Sequence, residues 1–208
     1  MADPSPAVPT REVFVNAYAG KAPWDTGQPQ PAFTAVAGKI SGSILDSGCG
    51  PGDNALFFAA RGNGVTGFDF LEEPIAWAKR KAAERGLSAK FVVKNALHLQ
   101  DWSERFDNVI DSGLFHVFTD ADRATYALGL ATVLKPAGRL FLLCFSDATP
   151  GTVGPRRVTQ AELRATFADG WQIESLEPSQ FETRAEARDG MFSGVNPKAW
   201  FLVARRTP

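Results

Sequence analysis

Residues 43–52 read SILDSGCGPG, and this stretch decides the fold that the chain is predicted to adopt. Small apolar residues lead into Asp46, three glycines follow at alternate positions, and residues 53–60 have the composition and spacing of a helix. The pattern predicts a buried strand, a tight turn and the start of a helix. Glycine is needed where a backbone turns sharply and lets a ligand approach more closely than a Cβ atom would permit.

Acids around the glycines indicate what such a ligand would be. The next predicted strand ends near Asp69, about 20 residues beyond the first glycine, where nucleotide-binding βαβ units place a ribose-binding carboxylate. A dinucleotide site needs a small residue where this chain has Asp53, because the pyrophosphate lies there. With Asp46 before the glycines and Asp53 after them, the turn suits a cationic ligand better than an anionic one.

The stretch resembles the first motif of the class I S-adenosylmethionine-dependent methyltransferases, D-x-G-x-G-x-G. S-adenosylmethionine carries an ammonium and a sulfonium and no phosphate, which agrees with the acids. The resemblance implies an α/β fold with a doubly wound, Rossmann-like sheet of seven mostly parallel strands and an antiparallel last strand. A glycine-rich turn in an ordinary loop is the alternative, and the flanking strand, the helix and the distal acid favour the cofactor.

Length and composition limit the other classes of function. The chain has 208 residues, enough for one domain with a substantial core, and its net charge of -1 provides no basic surface for nucleic acid. The two cysteines, Cys49 and Cys144, both fall in predicted buried positions, so we expect no disulfide and a reducing compartment. Because no apolar run is long enough to cross a bilayer, we expect a cytoplasmic protein that does not bind a membrane. We also expect no metal site.

The order of predicted elements supports a parallel, doubly wound sheet. Residues 1–10 are predicted to be a disordered tail and residues 11–208 a single domain. After the first strand, strands are predicted at 65–70, 89–94, 106–111 and 139–145, with helices between them, and residues 135–138 (KPAG) end the last of these helices. A capping box at Thr159 and Glu162 opens a further helix, and strands at 171–176 and 198–205 flank a variable loop.

A proline-rich loop follows the first predicted helix. Residues 22–31 read APWDTGQPQP, and three prolines with a glycine favour a shaped loop over a linker. One interpretation is a capping segment in which Trp24 covers the edge of the sheet. The other is that residues 11–38 form an N-terminal lid over the cofactor and the substrate.

The resemblance also implies a set of cofactor-binding residues at the carboxyl ends of the strands. The backbone of Gly48 and Gly50 would contact the methionyl part, with Asp46 near the ammonium. Asp69 would accept hydrogen bonds from the ribose hydroxyls, and Phe70 would stack on the adenine. The full set is Trp24, Asp46, Gly48, Gly50, Asp69, Phe70, Asn95, Ala96, Asp111 and Ser112. In it, Asn95 and Ala96 would meet the adenine edge, and Asp111 and Ser112 would lie beside the sulfonium and the acceptor.

The residues that bind the methyl acceptor are harder to predict than those that bind the cofactor. Displacement at a sulfonium depends on alignment and desolvation more than on acid–base groups, so no particular side chain is required. His116 follows the fourth strand and is the candidate general base, since a neutral imidazole can take a phenol or N-hydroxyl proton. A histidine hydrogen-bonded within the mouth of the sheet is the alternative. The predicted substrate-binding residues are Tyr18, Trp24, Phe115, His116, Arg157 and Phe192. Arg157 would orient an anionic acceptor or simply lie in a solvated basic loop.

Three further phrases narrow the resemblance. Residues 23–31 (PWDTGQPQP), 111–118 (DSGLFHVF) and 142–147 (LLCFSD) are similar to the thiol, thiopurine and halide methyltransferases, and most closely to the bacterial heterocyclic toxin methyltransferases. This implies methylation of the oxygen or nitrogen of a small, hydroxyquinolone-like aromatic acceptor in detoxification. We expect the protein to be a monomer or a homodimer. Thiol or halide methylation and a cofactor-binding module without catalysis stay open as alternatives.

Overall fold

Seven strands form one sheet in the computed structural model, which describes residues 9–20, 22–151 and 154–207. The strands are β1 (Ser43–Ser47), β2 (Gly64–Asp69), β3 (Lys90–Val93), β4 (Phe106–Ser112), β5 (Leu134–Phe145), β6 (Trp171–Gln180) and β7 (Lys198–Arg206). Their order across the sheet is β3-β2-β1-β4-β5-β7-β6. β7 is antiparallel to both neighbours and the other pairs are parallel, which confirms the predicted fold class.

Helices connect the parallel strands and also flank the sheet at the two ends of the chain. They are α1 (Arg11–Ala19), α2 (Pro31–Ala35), α3 (Asp53–Ala60), α4 (Glu72–Glu84), α5 (Asp120–Val133), α6 (Gln160–Thr166) and α7 (Ala185–Met191). Short 3-10 turns occur at Ala37–Lys39, Ala96–Asp101 and Phe115–Val117. Eight of the ten residues of the predicted tail, 1–8, lie outside the described residues.

The two faces of the sheet bury separate apolar clusters because side chains alternate along each strand. Leu45 of β1 is in register with Val109 of β4, which is in register with Leu140 of β5, and all three belong to one cluster. Their strand neighbours Ile44 and Ile110 belong to the other cluster. The central strands are therefore buried on both faces, and their ends are the place where polar groups are accessible.

Two local departures from the predicted elements have clear physical causes. β5 begins at Leu134, so the KPAG segment lies within the strand as a bulge and does not precede it. The register jumps from the pair Phe106–Leu134 to the pair Asn108–Arg139, and Ala137 takes a left-handed φ of 61° in the excess chain. The segment predicted as a variable loop after β6 contains α7.

The parallel strands place their carboxyl ends along one edge of the sheet. β1 connects to β2 on one side, whereas β4 lies on its other side, so the chain changes direction between β1 and β4. In open α/β sheets, ligands bind at this switch point. No described helix is both long enough and apolar enough to span a membrane.

Candidate active site

A cleft of about 1030 Å³ opens at this edge of the sheet. Its walls come from the N-terminal segment, from the turns that follow the first five strands, and from the segment between β6 and α7 together with the end of α7. The turn after β1 forms the floor nearest to the switch point. Within the described part of the chain, no group of three or more His, Cys, Asp or Glu side chains is placed to hold a metal ion.

The glycine turn after β1 has no room for side chains. Gly48, Gly50 and Gly52 have φ angles of 66°, 51° and 82°, a left-handed conformation that glycine adopts at little cost. A Cβ atom on Gly50 would lie 2.8 Å from the Tyr18 hydroxyl oxygen, and one on Gly48 would lie 3.0 Å from the Leu114 Cβ atom. The turn is therefore a bare-backbone cradle at the cleft surface.

Asp69, at the end of β2, fastens this turn and faces the cleft. Its Oδ2 atom accepts a hydrogen bond from the Gly50 amide at 3.1 Å, and Oδ1 accepts one from the Leu71 amide at 3.0 Å. Burial raises the pKa of the carboxyl group above its ordinary value. Because each carboxylate oxygen can accept a second hydrogen bond, Asp69 can also bind a pair of hydroxyl groups in the cleft.

Asp46 is a buried acid whose carboxylate makes no close hydrogen bond among the described residues. Its side chain is 1% exposed, and neither carboxylate oxygen is bonded within the described structure. Burial raises its pKa to about 8; the nearby Ala55 amide opposes this rise, and the carboxylates of Asp111, Asp53 and Asp69 add to it. Asp46 is not among the residues that line the cleft itself. An unsatisfied buried carboxyl group is costly, so its presence beside a bare turn points to a ligand with positive charge.

The structure corrects the expectation that the Asp111 side chain lies beside the acceptor. Asp111 is fully buried, does not line the cleft, and accepts hydrogen bonds from the Leu114 amide at 2.8 Å and the Tyr126 hydroxyl at 2.9 Å. These bonds shape the turn after β4. Ser112, the next residue, does line the cleft.

Phe70, Asn95 and Ala96, which were predicted to meet the adenine, all line the cleft. The Asn95 Oδ1 atom accepts a hydrogen bond from the Leu97 amide at 3.0 Å, so its amide group keeps its N–H donors for a ligand. The Phe14 ring packs edge-on against Phe70 with centroids 5.6 Å apart. Phe14 was not predicted at the site, since its spacing only indicated the apolar side of α1.

Tyr18 and Trp24 close the cleft from the N-terminal side. The Trp24 indole N–H donates to the Tyr18 hydroxyl at 3.2 Å, and the rings meet edge-on at 5.9 Å. Tyr18 is buried, which raises the pKa of its hydroxyl, whereas Trp24 is 39% exposed. Both residues, which were predicted to bind the substrate, line the cleft.

The rest of this N-terminal segment is bonded to the chain after β6. The Gln30 side chain donates to the Glu182 carbonyl and accepts from the Glu182 amide, both at 2.9 Å. The Arg184 amide donates to the Pro23 carbonyl at 2.9 Å. One wall of the cleft is thus built from two segments more than 150 residues apart in sequence.

His116 lines the cleft between two aromatic rings. It lies 5.0 Å from the Phe145 ring and 5.8 Å from the Phe181 ring, centroid to centroid. Its Nδ1 atom accepts a hydrogen bond from the Phe145 amide at 3.1 Å. Burial, followed by the charges of Arg123 and Arg157, lowers its pKa to about 3, so the imidazole is neutral at physiological pH.

Two predicted acceptor residues do not reach the cleft. Phe115 is fully buried in the core, where its ring packs against Phe167 at 5.7 Å. Arg157 donates to four carbonyl oxygens of residues 149–155, the nearest at 2.7 Å on Pro155, and its guanidinium lies 5.5 Å from the Phe145 ring centroid. Arg157 therefore stabilises its own loop instead of facing an acceptor.

The aromatic wall contains residues that the sequence alone did not identify. Phe192 was predicted and lines the cleft, and its ring lies 5.8 Å from Phe145. Phe145 and Phe181 complete the wall, with ring centroids 5.2 Å apart. Thr183 also lines the cleft, and its hydroxyl is buried without a hydrogen-bond partner among the described residues. No motif marks Thr183, because the chain folds back to bring it here.

Comparisons with known proteins agree with this site. Residues 44–138 match the model of a methyltransferase domain family. The chain is 31% identical to 2-heptyl-1-hydroxyquinolin-4(1H)-one methyltransferase of Mycobacteroides abscessus, over 94% of this chain and 97% of that protein. The chain therefore belongs to the S-adenosylmethionine-dependent methyltransferases, and S-adenosylmethionine is its cofactor. The residues present fit this cofactor, since a bare glycine turn and an unpaired buried acid suit a cationic nucleoside.

Solved structures show the same fold. One, from work on the conversion of a disulfide bond into a thioacetal group during echinomycin biosynthesis, is 36% identical with a TM-score of 0.82, covering 95% of this chain and 93% of that one. Another is 1,6-didemethyltoxoflavin-N1-methyltransferase of Burkholderia thailandensis, 22% identical with a TM-score of 0.73, over 95% and 87% of the two chains. The second likeness supports the fold alone.

Proposed function

We propose that this enzyme transfers the methyl group of S-adenosylmethionine to the oxygen or nitrogen of a small, planar aromatic heterocycle of the hydroxyquinolone kind. The observation that carries the proposal is the wall of rings formed by Phe145, Phe181 and Phe192, which lies in the same cleft as the glycine turn. Flat apolar walls suit a flat ring. The full-length relative from Mycobacteroides abscessus, a hydroxyquinolone methyltransferase by name, supports the same class of acceptor.

The cofactor would occupy the half of the cleft nearest to β1 and β2. The backbone of Gly48 and Gly50 would hold the methionyl part, and Asp46 would balance its ammonium across a short distance or through a water. Asp69 would accept from both ribose hydroxyls, and Phe70 would face the adenine. Bound S-adenosylmethionine supplies a methyl carbon on a positively charged sulfur that is a good leaving group.

The chain's own contribution to the reaction is alignment and exclusion of water. Tyr18 and Trp24 cover the cleft, and the aromatic wall replaces water around the acceptor. In the transition state of methyl transfer, the positive charge is spread over several atoms and needs little solvation. A site of low polarity removes water from the reactants before that state is reached, which favours the reaction. Residues 11–38 act as a lid in this proposal, and the enzyme serves to detoxify its acceptor.

A sulfur acceptor is the second candidate. The solved structure that is 36% identical to this chain comes from work on the conversion of a disulfide bond into a thioacetal group, which supports a sulfur acceptor. A thiol or halide acceptor would need only the apolar wall and no polar contacts beyond the cofactor. The two candidate acceptors differ in whether they need polar contacts from the acceptor side of the cleft.

The test is transfer of an isotopically labelled methyl group from S-adenosylmethionine to hydroxyquinolones, phenols, N-heterocycles, thiols and iodide, read by mass spectrometry. We expect at least one planar hydroxylated or N-containing ring to be methylated far faster than any thiol. Asp69→Asn should abolish turnover, whereas the exposed Asp101→Asn should not. Methylation of thiols or iodide alone would overturn the acceptor class, and binding without turnover on the whole panel would overturn catalysis. Protection of cells against an added hydroxyquinolone tests the detoxifying role.

A further inference from the structure

We propose that His116 is a hydrogen-bond donor to the acceptor and not a base, and that with the Thr183 hydroxyl it holds a ring carbonyl oxygen. The acceptor class is then a planar heterocycle whose attacking oxygen or nitrogen is conjugated with that carbonyl and is already ionised when it binds. This inference rests on the proposed function and names its substrate class more closely.

The first observation is the tautomer of His116. A neutral imidazole has one N–H, and a nitrogen that accepts a hydrogen bond cannot carry it. Because Nδ1 accepts from the Phe145 amide at 3.1 Å, the proton is assigned to Nε2. The hydrogen bond that His116 makes within the described part of the chain is the one on Nδ1, so Nε2 has no partner there, and the residue lines the cleft. The imidazole therefore offers a donor, not a lone pair.

The second observation is the surroundings of the ring. A histidine base leaves its lone pair toward the substrate and donates its other N–H to a carboxylate, which stabilises the imidazolium. Here the bond to Nδ1 runs in the opposite direction. The charged groups acting on His116 are Arg123 and Arg157, both cations, and the rings packed against it are Phe145 and Phe181. Both the two cations and the two apolar rings therefore oppose protonation of His116.

The third observation is the unpaired hydroxyl of Thr183. The residue is 7% exposed, lines the cleft and has no partner for its Oγ1 atom in the described structure. It follows Phe181, whose ring contacts His116, by two positions. Buried hydroxyls are normally bonded, so an unpaired one in a cleft indicates a polar ligand group. Two unpaired donors beside an aromatic wall suit the carbonyl oxygen of a flat ring.

The reaction then needs no proton transfer from the enzyme. A lone pair of the ionised acceptor atom forms the bond to the methyl carbon, the carbon–sulfur bond breaks, and its electron pair stays on sulfur. The two donors hold the conjugated carbonyl oxygen, which shares the negative charge of the anion, and so favour binding of the acceptor in its ionised form. Ring hydroxyls that are weak acids are poor acceptors, because no group in this arrangement removes their proton.

The test compares variants of His116 on a ring acceptor that the parent enzyme methylates. His116→Gln keeps an N–H donor but cannot take up a proton, so we expect kcat/KM within about tenfold of the parent. His116→Ala should lower kcat/KM by roughly 100-fold, as for loss of a hydrogen bond to a charged group in a buried site. Thr183→Val should lower it by about tenfold and Thr183→Ser should restore it, while Thr125→Val on the exposed side of α5 should have no effect.

The pH dependence separates the two roles of His116. Across ring acceptors of graded acidity, we expect the kinetic pKa in kcat/KM to follow the pKa of each acceptor. A kinetic pKa that stays constant, with His116→Gln as inactive as His116→Ala, would overturn the inference while the proposed function stands. Failure of the parent to methylate any ring would remove the proposed function, and this inference with it.

A measurement on the unmodified enzyme covers the case in which the variants fail to fold. The chain has two histidines, so 15N spectra can be assigned with the single variant His98→Gln at an exposed position. We expect the His116 signals to report a neutral ring with its proton on Nε2 throughout the neutral range. A proton on Nδ1 would overturn the inference whatever the kinetics show.

Discussion

Asp46 lowers the stability of the folded enzyme at alkaline pH, and the same residue is proposed to bind the cofactor. Its pKa of about 8 lies above the ordinary value of 3.8, so the folded chain favours the protonated form. The stabilising contribution of that protonated form is complete below about pH 4 and is lost as pH rises toward 8. At alkaline pH the folded enzyme therefore holds an unpaired buried charge, which a cationic ligand would neutralise.

Asp46→Asn should raise the free energy of unfolding and weaken cofactor binding together. The neutral amide avoids the buried charge, so we expect a clear gain at pH 9 and little change at pH 4. Denaturant unfolding at the two pH values measures the gain, and calorimetric titration with S-adenosylhomocysteine measures the binding. Asp101→Asn, at an exposed position, is the control. A loss of stability at pH 9 would contradict the expectation.

The role of Gly50 in ligand binding can be tested separately from its left-handed backbone conformation, which other glycines share. Gly50 and Gly62 both have positive φ angles, so alanine should cost each about 1 kcal/mol of stability. Of these two glycines, Gly50 is the one at which a Cβ atom would meet another group, the Tyr18 hydroxyl oxygen at 2.8 Å, whereas nothing lies within 4 Å at Gly62. We expect Gly50→Ala to weaken S-adenosylhomocysteine binding at least tenfold and Gly62→Ala to leave it unchanged. Equal affinities in the two variants would exclude the cradle.

At the scale of elements, the N-terminal segment and the chain after β6 act as one wall. Gln30 is buried and makes reciprocal bonds with the Glu182 backbone, so Gln30→Ala should release both segments together. We expect faster hydrogen exchange in residues 22–30 and 181–184 and a higher KM for the acceptor. Gln100→Ala, at an exposed position, is the matched control. Faster exchange in the N-terminal segment alone would show that the two segments move separately.

Some elements could be predicted from local patterns and others could not. The strand, glycine turn and helix at residues 43–60 carry their own signals, as does the capping box at Thr159 and Glu162, which the structure contains with both bonds. The bulge in β5 was missed because Pro136 and Gly138 normally end elements, and only pairing with β4 keeps them in the strand. α7 was missed because it is short and has no buried face.

Some residues of the candidate site could likewise be predicted from local sequence, and others could not. Gly48, Gly50, Asp69 and Phe70 follow strand ends, and the edge of a parallel sheet brings such residues together. Phe115 was misplaced because position along the chain does not tell which side of a turn faces the core. Further members of the site depend on contacts between distant segments, and these have no local signature: Phe145, Phe181 and Thr183.

For the whole molecule, the main electrostatic feature is the concentration of acids at one edge of the sheet. Burial raises the pKa of Asp46 to about 8 and that of Asp111 to about 7, and it also raises the pKa of Asp69. The Asp53 carboxylate is neutralised in part by the Lys81 ammonium at 2.8 Å. A ligand with an ammonium group should therefore bind in competition with a proton on Asp46.

Affinity for S-adenosylhomocysteine should rise several-fold between pH 6 and pH 8, because ionised Asp46 favours the ligand's ammonium. Adenosine has no ammonium, and its affinity should be nearly independent of pH. Calorimetric titrations in buffers with different ionisation enthalpies would detect the proton released on binding. In Asp46→Asn the two ligands should have the same flat dependence. An affinity that falls with pH in the parent enzyme would contradict this linkage.

The most direct test of the central claim is a crystal structure of the enzyme with S-adenosylhomocysteine and a hydroxyquinolone. We expect the nucleoside beside Asp69 and Phe70, and the ring against Phe145 and Phe181 with its attacking atom in line with the cofactor sulfur. A heterocycle bound outside this cleft, or a cleft that takes the cofactor and excludes every ring, would contradict a joint site for the two substrates.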